Sequence, residues 1–296
     1  MRIASLVPSA TELLFALGLG GDVVAVTHEC DHPAAVEGLP RLTRSMIAPG
    51  LEAADIDAAV RERVDAGQSF YSLDTDVLGE LGVDLIVTQE VCEVCAVSGD
   101  DVRAFAARLP RPPRVLSLDP STLGDVLGNA ATLGEAAEAP EAGLELQNGL
   151  ASRIEAVRSA TARAPRVRVA ALEWLDPPYC GGHWVPEMIV AAGGVDPLAG
   201  PGDRSRQLGW EEITASRPDV AIVMPCGLYA AEAAREAKRH LRHLAGLGTR
   251  ESYAVDAASS FSRPGPRLAD GVELLGHLLH PDLVGAPATL EWTRVS

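Results

Sequence analysis

Short apolar runs alternate with amphipathic segments along the whole sequence. Arg2–Val7 predicts a strand, and Ser9–Leu17 predicts a helix opened by a capping box of Ser9 and Glu12. Alternating strands and helices form parallel sheets covered by helices, so the pattern predicts an α/β protein. Further strands are predicted at Asp22–Thr27, Leu85–Val87, Arg114–Leu118, Arg168–Leu172, Asp219–Met224 and Ser252–Val255.

One long stretch interrupts this alternation. Residues 134–164 contain no strand pattern, and they predict a single long helix that begins after Pro140, where a proline is tolerated in the first turn. The predicted organisation is an α/β lobe at 1–133, a connecting helix at 134–164 and a second α/β lobe at 165–296, with a cleft between the lobes. The apolar positions of the helix recur at helical spacing, at Leu144, Leu150, Ile154 and Val157.

Composition narrows the class of protein. A chain of 296 residues with 47% hydrophobic residues is typical of a globular protein with a substantial core. The formal net charge of −16 argues against nucleic acid or an anionic membrane as a partner. No signal or membrane-spanning segment is visible, so we expect no membrane insertion and a cytoplasmic location. Five cysteines, an odd number, fit a reducing compartment better than a disulfide framework.

The cysteines all follow the carboxyl ends of predicted strands, where α/β proteins bind ligands. This position predicts a thiol-bearing wall facing a ligand or a metal. The five candidates are Cys30, Cys92, Cys95, Cys180 and Cys226, and the same edge carries His28, Glu29, Glu90, Asp119, His183 and Asp256.

Several interpretations of these cysteines remain open. Cys92 and Cys95 form a Cys-x-x-Cys half-site that suits Zn or another soft metal ion. A redox role is weaker, because Glu90 and Glu93 would raise a thiol pKa. Each cysteine could instead be a small buried hydrophobic residue.

Aromatic residues form a second candidate set. They are scarce, and most lie in loops or at helix starts, where they can face a planar ligand or pack the loops onto the core. The set is Tyr71, Trp174, Tyr179, Trp184, Trp210, Tyr229 and Phe261. No phosphate-binding loop, nucleophile elbow or zinc-protease motif is present in the sequence, so it offers no support for an enzyme.

Four segments resemble class III solute-binding proteins of ABC importers, which bind cobalamin, haem or siderophores, and the cobalamin-binding branch is the most similar. The resemblance implies two Rossmann-like lobes with parallel sheets and one backbone helix, with little hinge motion on binding. It also implies an ABC importer as partner. The implied pocket is lined by Tyr71, Trp184, Trp210 and Phe261. The family's secreted members carry a leader and few cysteines in the cleft, whereas we expect no leader here and five cysteines at the strand ends. The segments are RIASLVPSATELLFALGLG, DLIVTQ, the central helix and FSRPGPRLADGVELLGHLLHP.

Three hypotheses follow. The first is a non-enzymatic protein that holds a corrinoid (cobalamin-like) or other metal chelate between two lobes. Its predicted ligand-binding residues are Tyr71, Glu90, Trp174, Tyr179, His183, Trp184, Trp210 and Phe261. The second is a cytoplasmic protein that binds Zn or a similar soft metal ion through the five cysteines. The third is a thiol-dependent enzyme.

Overall fold

The chain folds into two compact units in this computed structural model, which describes residues 1–48, 50–51, 53–66, 68–89, 99–288 and 290–295. Unit 1 comprises residues 1–120 and 127–148, and unit 2 comprises residues 121–126 and 149–296. The predicted connector at 134–164 is therefore divided between the two units.

Unit 1 contains a parallel sheet and a small antiparallel ribbon. Its strands are β1 (Ile3–Ser5), β2 (Val23–Ala25), β3 (Thr43–Ser45), β4 (Tyr71–Leu73), β5 (Leu85–Thr88) and β6 (Arg114–Ser117). Four of them form a parallel sheet in the order β2-β1-β5-β6, as the apolar runs predict. Strands β3 and β4 pair as a separate antiparallel ribbon. The sequence pattern does not predict this ribbon, because strands of three residues are too short to show alternation.

The helices that begin in unit 1 or cross between the units are α1 (Pro8–Ala16), α2 (Ala53–Asp65), α3 (Thr75–Glu80), α4 (Gly99–Ala106), α5 (Leu123–Ala136) and α6 (Pro140–Thr161). The long helix predicted after Pro140 is confirmed as α6. The predicted capping box of Ser9 and Glu12 is wrong. Helix α1 already begins at Pro8, after an extended Val7 that provides no side-chain cap. Ser9 is therefore inside the first turn, because proline suits the first helical position.

Two glycines allow α5 and α6 to pack closely. A Cβ atom on Gly143 would lie 2.7 Å from the Ala130 carbonyl oxygen, and one on Gly134 would lie 2.8 Å from the Cα of Gly143. Both distances are too short for any side chain. Gly143, which weakens the helical pattern of the sequence, is therefore required by the neighbouring helix.

Unit 2 contains a mixed sheet. Its strands are β7 (Val167–Leu175), β8 (Pro178–Cys180), β9 (Gly194–Val195), β10 (Val220–Val223), β11 (Glu251–Val255) and β12 (Trp292–Arg294). The order is β12-β11-β10-β7-β8, with β9 also paired to β7. The predicted parallel strands β7, β10 and β11 form the centre, whereas β8 and β12 pair antiparallel at the edges.

The helices of unit 2 differ from the sequence pattern at two places. They are α7 (Val185–Ala191), α8 (Trp210–Ala215), α9 (Ala230–Arg239), α10 (Leu241–Gly246), α11 (Ala257–Ser260) and α12 (Leu268–Leu279). The polar pattern of Ala230–Leu244 predicts one helix, but the structure has two, which meet at His240. The sequence pattern predicts that the last helix opens at Arg263-Pro264, but this helix begins at Leu268. The prolines at 264 and 266 disfavour the helical conformation of the residues that precede them.

Apolar side chains cover both faces of the parallel sheet in unit 1. Ile3, Leu85 and Val87 pack on one face, and Ala4 and Ile86 pack on the other. Burial on both faces explains why these strands are continuous apolar runs. Among the helices of the described residues, none combines the length and the apolar character that a membrane span requires.

Candidate functional site

Three polar side chains meet where strand β2 of unit 1 ends. The Tyr71 hydroxyl donates a hydrogen bond to Glu29 Oε1 at 3.1 Å. The rings of His28 and Tyr71 are neighbours, with centroids 5.5 Å apart. Nδ1 of His28 lies 2.7 Å from Thr43 Oγ1. The β3–β4 ribbon supplies both Thr43 and Tyr71, and it therefore holds the residues that follow β2.

Buried polar contacts hold the loop that carries His28 and Glu29. The Cys30 thiol lies 3.1 Å from Thr11 Oγ1 and 3.3 Å from Thr27 Oγ1. Cys30 is part of the apolar core of unit 1. The Arg41 guanidinium donates to the carbonyl oxygens of Thr27 and Cys30. The structure therefore places the Cys30 side chain in the core, and its interactions support the loop that carries His28 and Glu29.

His28 has a depressed affinity for protons. Partial burial of its ring is the main cause of a lowered pKa, and the positive charge of Arg41 acts in the same direction, against an opposing effect of Glu29. The imidazole of His28 is therefore neutral at pH 7.

In unit 2, Glu173 ties together three segments at the carboxyl end of β7. Its Oε1 accepts a hydrogen bond from the Gly182 amide at 3.1 Å, and its Oε2 accepts one from the Ser205 hydroxyl. Its carbonyl oxygen accepts from the Cys226 amide at 2.9 Å. A Cβ atom on Gly182 would lie 2.3 Å from the Ser205 nitrogen, so only glycine allows this approach.

His183 follows in an unusual backbone conformation, with φ of 54°. Its amide donates to the Asp203 carbonyl at 2.6 Å, and its carbonyl accepts from the Gly202 amide at 3.0 Å. These two bonds hold a conformation that is costly for a residue with a side chain. Burial and the charge of Arg204 lower the His183 pKa, so this second imidazole is also neutral at pH 7.

Two of the predicted pocket aromatics are interior residues. Trp184 and Phe261 are 6% and 2% exposed, and Trp184 Nε1 donates to the Phe261 carbonyl at 2.7 Å. This contact joins the loop before α7 to the end of α11. In this structure both side chains support the edge of unit 2 from within, instead of facing an open surface.

Of the other predicted aromatics of unit 2, Trp174, Tyr179 and Trp210 are half-buried and Tyr229 is exposed. Trp174 and Tyr179 face each other across the β7–β8 pair, and the buried Trp174 Nε1 has no hydrogen-bond partner among the described residues. Trp210 stacks on His243 with ring centroids 4.7 Å apart. Its contact fixes α8 against α10. The structure thus brings Trp174 and Tyr179 together at one strand pair, while Trp210 packs between helices.

The described cysteines do not form a metal centre. Cys180 lies in the apolar core of unit 2, and burial raises the pKa of its thiol. Cys226 is exposed after β10. Within the described ranges, no three His, Cys, Asp or Glu side chains are grouped to hold a metal ion. The remaining candidates, Cys92, Cys95 and Glu90, lie outside the described residues.

Asp196, which the sequence pattern does not single out, is a buried carboxyl group after β9. Its Oδ1 accepts from the amides of Leu198 at 2.8 Å and Ala199 at 3.3 Å. Its Oδ2 is buried with no partner in the described part of the chain. Burial raises the pKa of Asp196 to about 6, although the two backbone bonds oppose this effect.

We expect Asp196 to lower stability as the pH rises from about 4 to about 6. In this window the folded carboxyl group keeps a proton that the unfolded chain releases near its ordinary pKa of 3.8, so the folded state binds more protons. Relative to Asp196→Asn, the free energy of unfolding should fall by up to about 3 kcal/mol. Urea unfolding of both proteins across this window measures the difference, and parallel pH profiles would refute the assignment.

Comparison with known proteins agrees with this architecture. Residues 102–246 match the family model described as "Periplasmic binding protein". A "Vitamin B12-binding protein" of Vibrio cholerae is 22% identical over 275 residues, which are 92% of this chain and 86% of that protein.

Solved structures extend the likeness to nearly the whole chain. The periplasmic vitamin B12 binding protein of Vibrio cholerae matches with a TM-score of 0.67 at 22% identity, over 94% of this chain and 96% of that one. The periplasmic heme-binding protein of Roseiflexus sp. RS-1 matches with a TM-score of 0.68 at 24% identity, over 94% and 95%.

The resemblance to ABC-importer solute-binding proteins is therefore confirmed, through the periplasmic binding protein family over residues 102–246 and through the fold over nearly all of the chain. The predicted fold class is confirmed with it: an α/β protein of two Rossmann-like lobes joined by a long helix. The predicted cytoplasmic location stays a prediction.

Proposed function

We propose that the protein binds a corrinoid, a cobalamin-like metal chelate, without altering it chemically. The observation that carries this proposal is the match of 92% of the chain to a protein named for vitamin B12 binding. The relatives are solute-binding proteins, which supports reversible binding over catalysis. An ABC importer is the partner that this function implies.

The chemistry at the sheet edges supports this ligand class. A corrin ring has broad apolar faces, and its rim carries uncharged carboxamide groups. His28, which follows the carboxyl end of β2, and His183, which follows the edge strand β8, have lowered pKa values and are neutral at pH 7. Neutral imidazoles and a tyrosine hydroxyl can form hydrogen bonds with amides without leaving a buried charge unpaired.

Titration with cyanocobalamin tests the proposal. We expect saturable binding of one ligand per chain in the micromolar range or tighter, seen by calorimetry and by a change in the corrin absorbance. The absence of heat and of any spectral change in the high micromolar range would refute corrinoid binding.

Haem is a second candidate, because several proteins of the same fold are named as haem binders. The same titration with haemin separates the two ligands. A shift of the haem absorbance with tighter binding than cyanocobalamin would replace the corrinoid by haem in this proposal.

If the protein binds a corrinoid, the core cysteines have a structural role and the protein has no need to bind a bare zinc ion. Metal analysis of protein purified without added metal should find zinc far below one equivalent. One bound zinc that is lost in Cys92→Ser, with the fold intact, would favour the soft-metal hypothesis instead.

A further inference from the structure

A cavity of about 910 Å³ lies in unit 2, between the last turns of α6 and α12 and the strands β11 and β12. Its volume is within the range of small-molecule sites, about 300–1,000 Å³. None of the predicted ligand-binding residues that the structure describes lines it. The cavity is therefore a candidate site for a second ligand, separate from the proposed corrinoid.

Part of the lining is aromatic and aliphatic. The rings of Trp292 and His277 meet edge to face, with centroids 5.7 Å apart, and Leu283 lines the same cavity. The His277 ring is held in place, because its Nδ1 donates to the Val284 carbonyl oxygen at 2.9 Å. Two rings at an angle offer a fixed apolar surface to a planar group.

The carboxylate of Glu251, which also lines the cavity, is neutralised within the fold. Its Oε1 lies 3.2 Å from Nη1 of Arg294, and its Oε2 accepts a hydrogen bond from the Tyr253 hydroxyl. Burial and this bond raise the pKa of Tyr253 to about 12, so the hydroxyl keeps its proton at pH 7. Glu251 therefore contributes little net negative charge to the cavity.

Two arginines of the lining keep most of their donors unused. Arg163 has no hydrogen bond or ion pair among the described residues. In the same part of the chain, Arg250 makes one long side-chain bond, of 3.5 Å, from Nη2 to the Leu279 carbonyl oxygen. Asp282 is the other acidic residue of the lining. Two arginines against one uncompensated carboxylate give the cavity a positive excess, in a chain whose formal net charge is −16.

We propose that this cavity is a second binding site, for a small organic anion with a planar apolar body. The carboxylate of such a ligand is held by Arg163 and Arg250, since a guanidinium matches a carboxylate with paired donors. Its planar body packs against Trp292 and His277. The proposal does not depend on corrinoid binding, so its failure would leave the proposed function standing.

Indole-3-acetate and indole-3-acetamide test the choice of an anion, because they share one planar body and differ in charge. Both arginines are exposed, so water weakens their attraction, and we expect the acetate to bind at least about fivefold more tightly than the amide. Its dissociation constant should be in the low millimolar range or below. Calorimetry and NMR of the ligand protons measure both affinities.

Charge removal assigns the preference to the cavity. In Arg163→Gln, the affinity for indole-3-acetate should fall at least about threefold, and the affinity for the amide should stay the same. Arg242→Gln is the matched control, because Arg242 is an exposed arginine of the same unit that does not line the cavity. It should change neither affinity, and thermal melts check that both variants keep the fold.

Two tryptophan substitutions on α6 test the location. Ala160 lines the cavity, whereas Ala156, one turn earlier, does not, and both residues are exposed. Ala160→Trp should occupy part of the cavity and weaken the binding of both probes at least about tenfold. Ala156→Trp should leave both affinities unchanged.

The absence of indole-3-acetate binding at about 10 mM, or equal affinities for the acetate and the amide, would overturn the proposal. Equal losses in Arg163→Gln and Arg242→Gln would show a long-range charge effect and would overturn it as well. If Ala160→Trp binds both probes like the wild-type protein, the anion is bound elsewhere and the assignment of this cavity is wrong.

Discussion

Replacing Phe261 by alanine should lower the free energy of unfolding by about 3–5 kcal/mol, the usual cost of emptying a buried aromatic site. Phe261 is 2% exposed and is among the largest fully buried side chains of the described residues. Its backbone also holds Trp184, so the cavity would loosen the segment before α7. Equilibrium unfolding in urea, followed by tryptophan fluorescence, measures the loss.

Phe105→Ala provides the control for this prediction. Phe105 lies in α4 of unit 1 and is only half-buried, so the same substitution there should cost clearly less. A loss below about 1 kcal/mol for Phe261→Ala would contradict the interior position of this ring. It would also favour the alternative that Phe261 lines a ligand pocket.

Gly182→Ala should both destabilise the protein and impair ligand binding. The new methyl group would overlap the backbone of Ser205, with a separation of 2.3 Å, and would displace the segment that Glu173 fixes. Overpacking of this kind typically costs about 1–3 kcal/mol. Because His183 follows directly, we expect the affinity for cyanocobalamin to fall at least about tenfold, since a shift of one ångström in a binding group is costly. Calorimetry and urea unfolding measure the two effects.

Gly149→Ala is a matched substitution with the opposite expected sign. Gly149 is exposed within α6, and a Cβ atom there meets no neighbour within 4 Å. Alanine should stabilise the helix by about 0.5–1 kcal/mol and leave the affinity for cyanocobalamin unchanged. If Gly182→Ala behaves like this control, the tight approach of Gly182 to Ser205 has no functional consequence.

The main elements of the fold could be predicted because their signals are local. Apolar runs such as Leu85–Val87 mark strands buried on both faces, and Pro140 marks the start of α6. The β3–β4 ribbon could not be predicted in this way. It pairs Ser45 with Tyr71, and neither three-residue strand carries an apolar pattern.

The candidate site was only partly predictable, since a position at a strand end gives the edge of the sheet but not the direction of a side chain. His28 does lie beyond the carboxyl end of β2, whereas His183 follows the antiparallel edge strand β8. Cys30 and Cys180 are packed in the cores of their units. The contact of Glu173 with Ser205 joins residues far apart in sequence. Such contacts form only when the chain folds, and no sequence motif predicts them.

Hydrogen exchange with and without saturating cyanocobalamin tests the central claim most directly, because it locates the ligand on the protein. We predict added protection of the backbone at residues 26–31, beyond the carboxyl end of β2 in unit 1, and at residues 181–184, after the edge strand β8 of unit 2. Unchanged exchange at both segments, or protection confined to the opposite strand ends such as residues 250–252, would contradict the account.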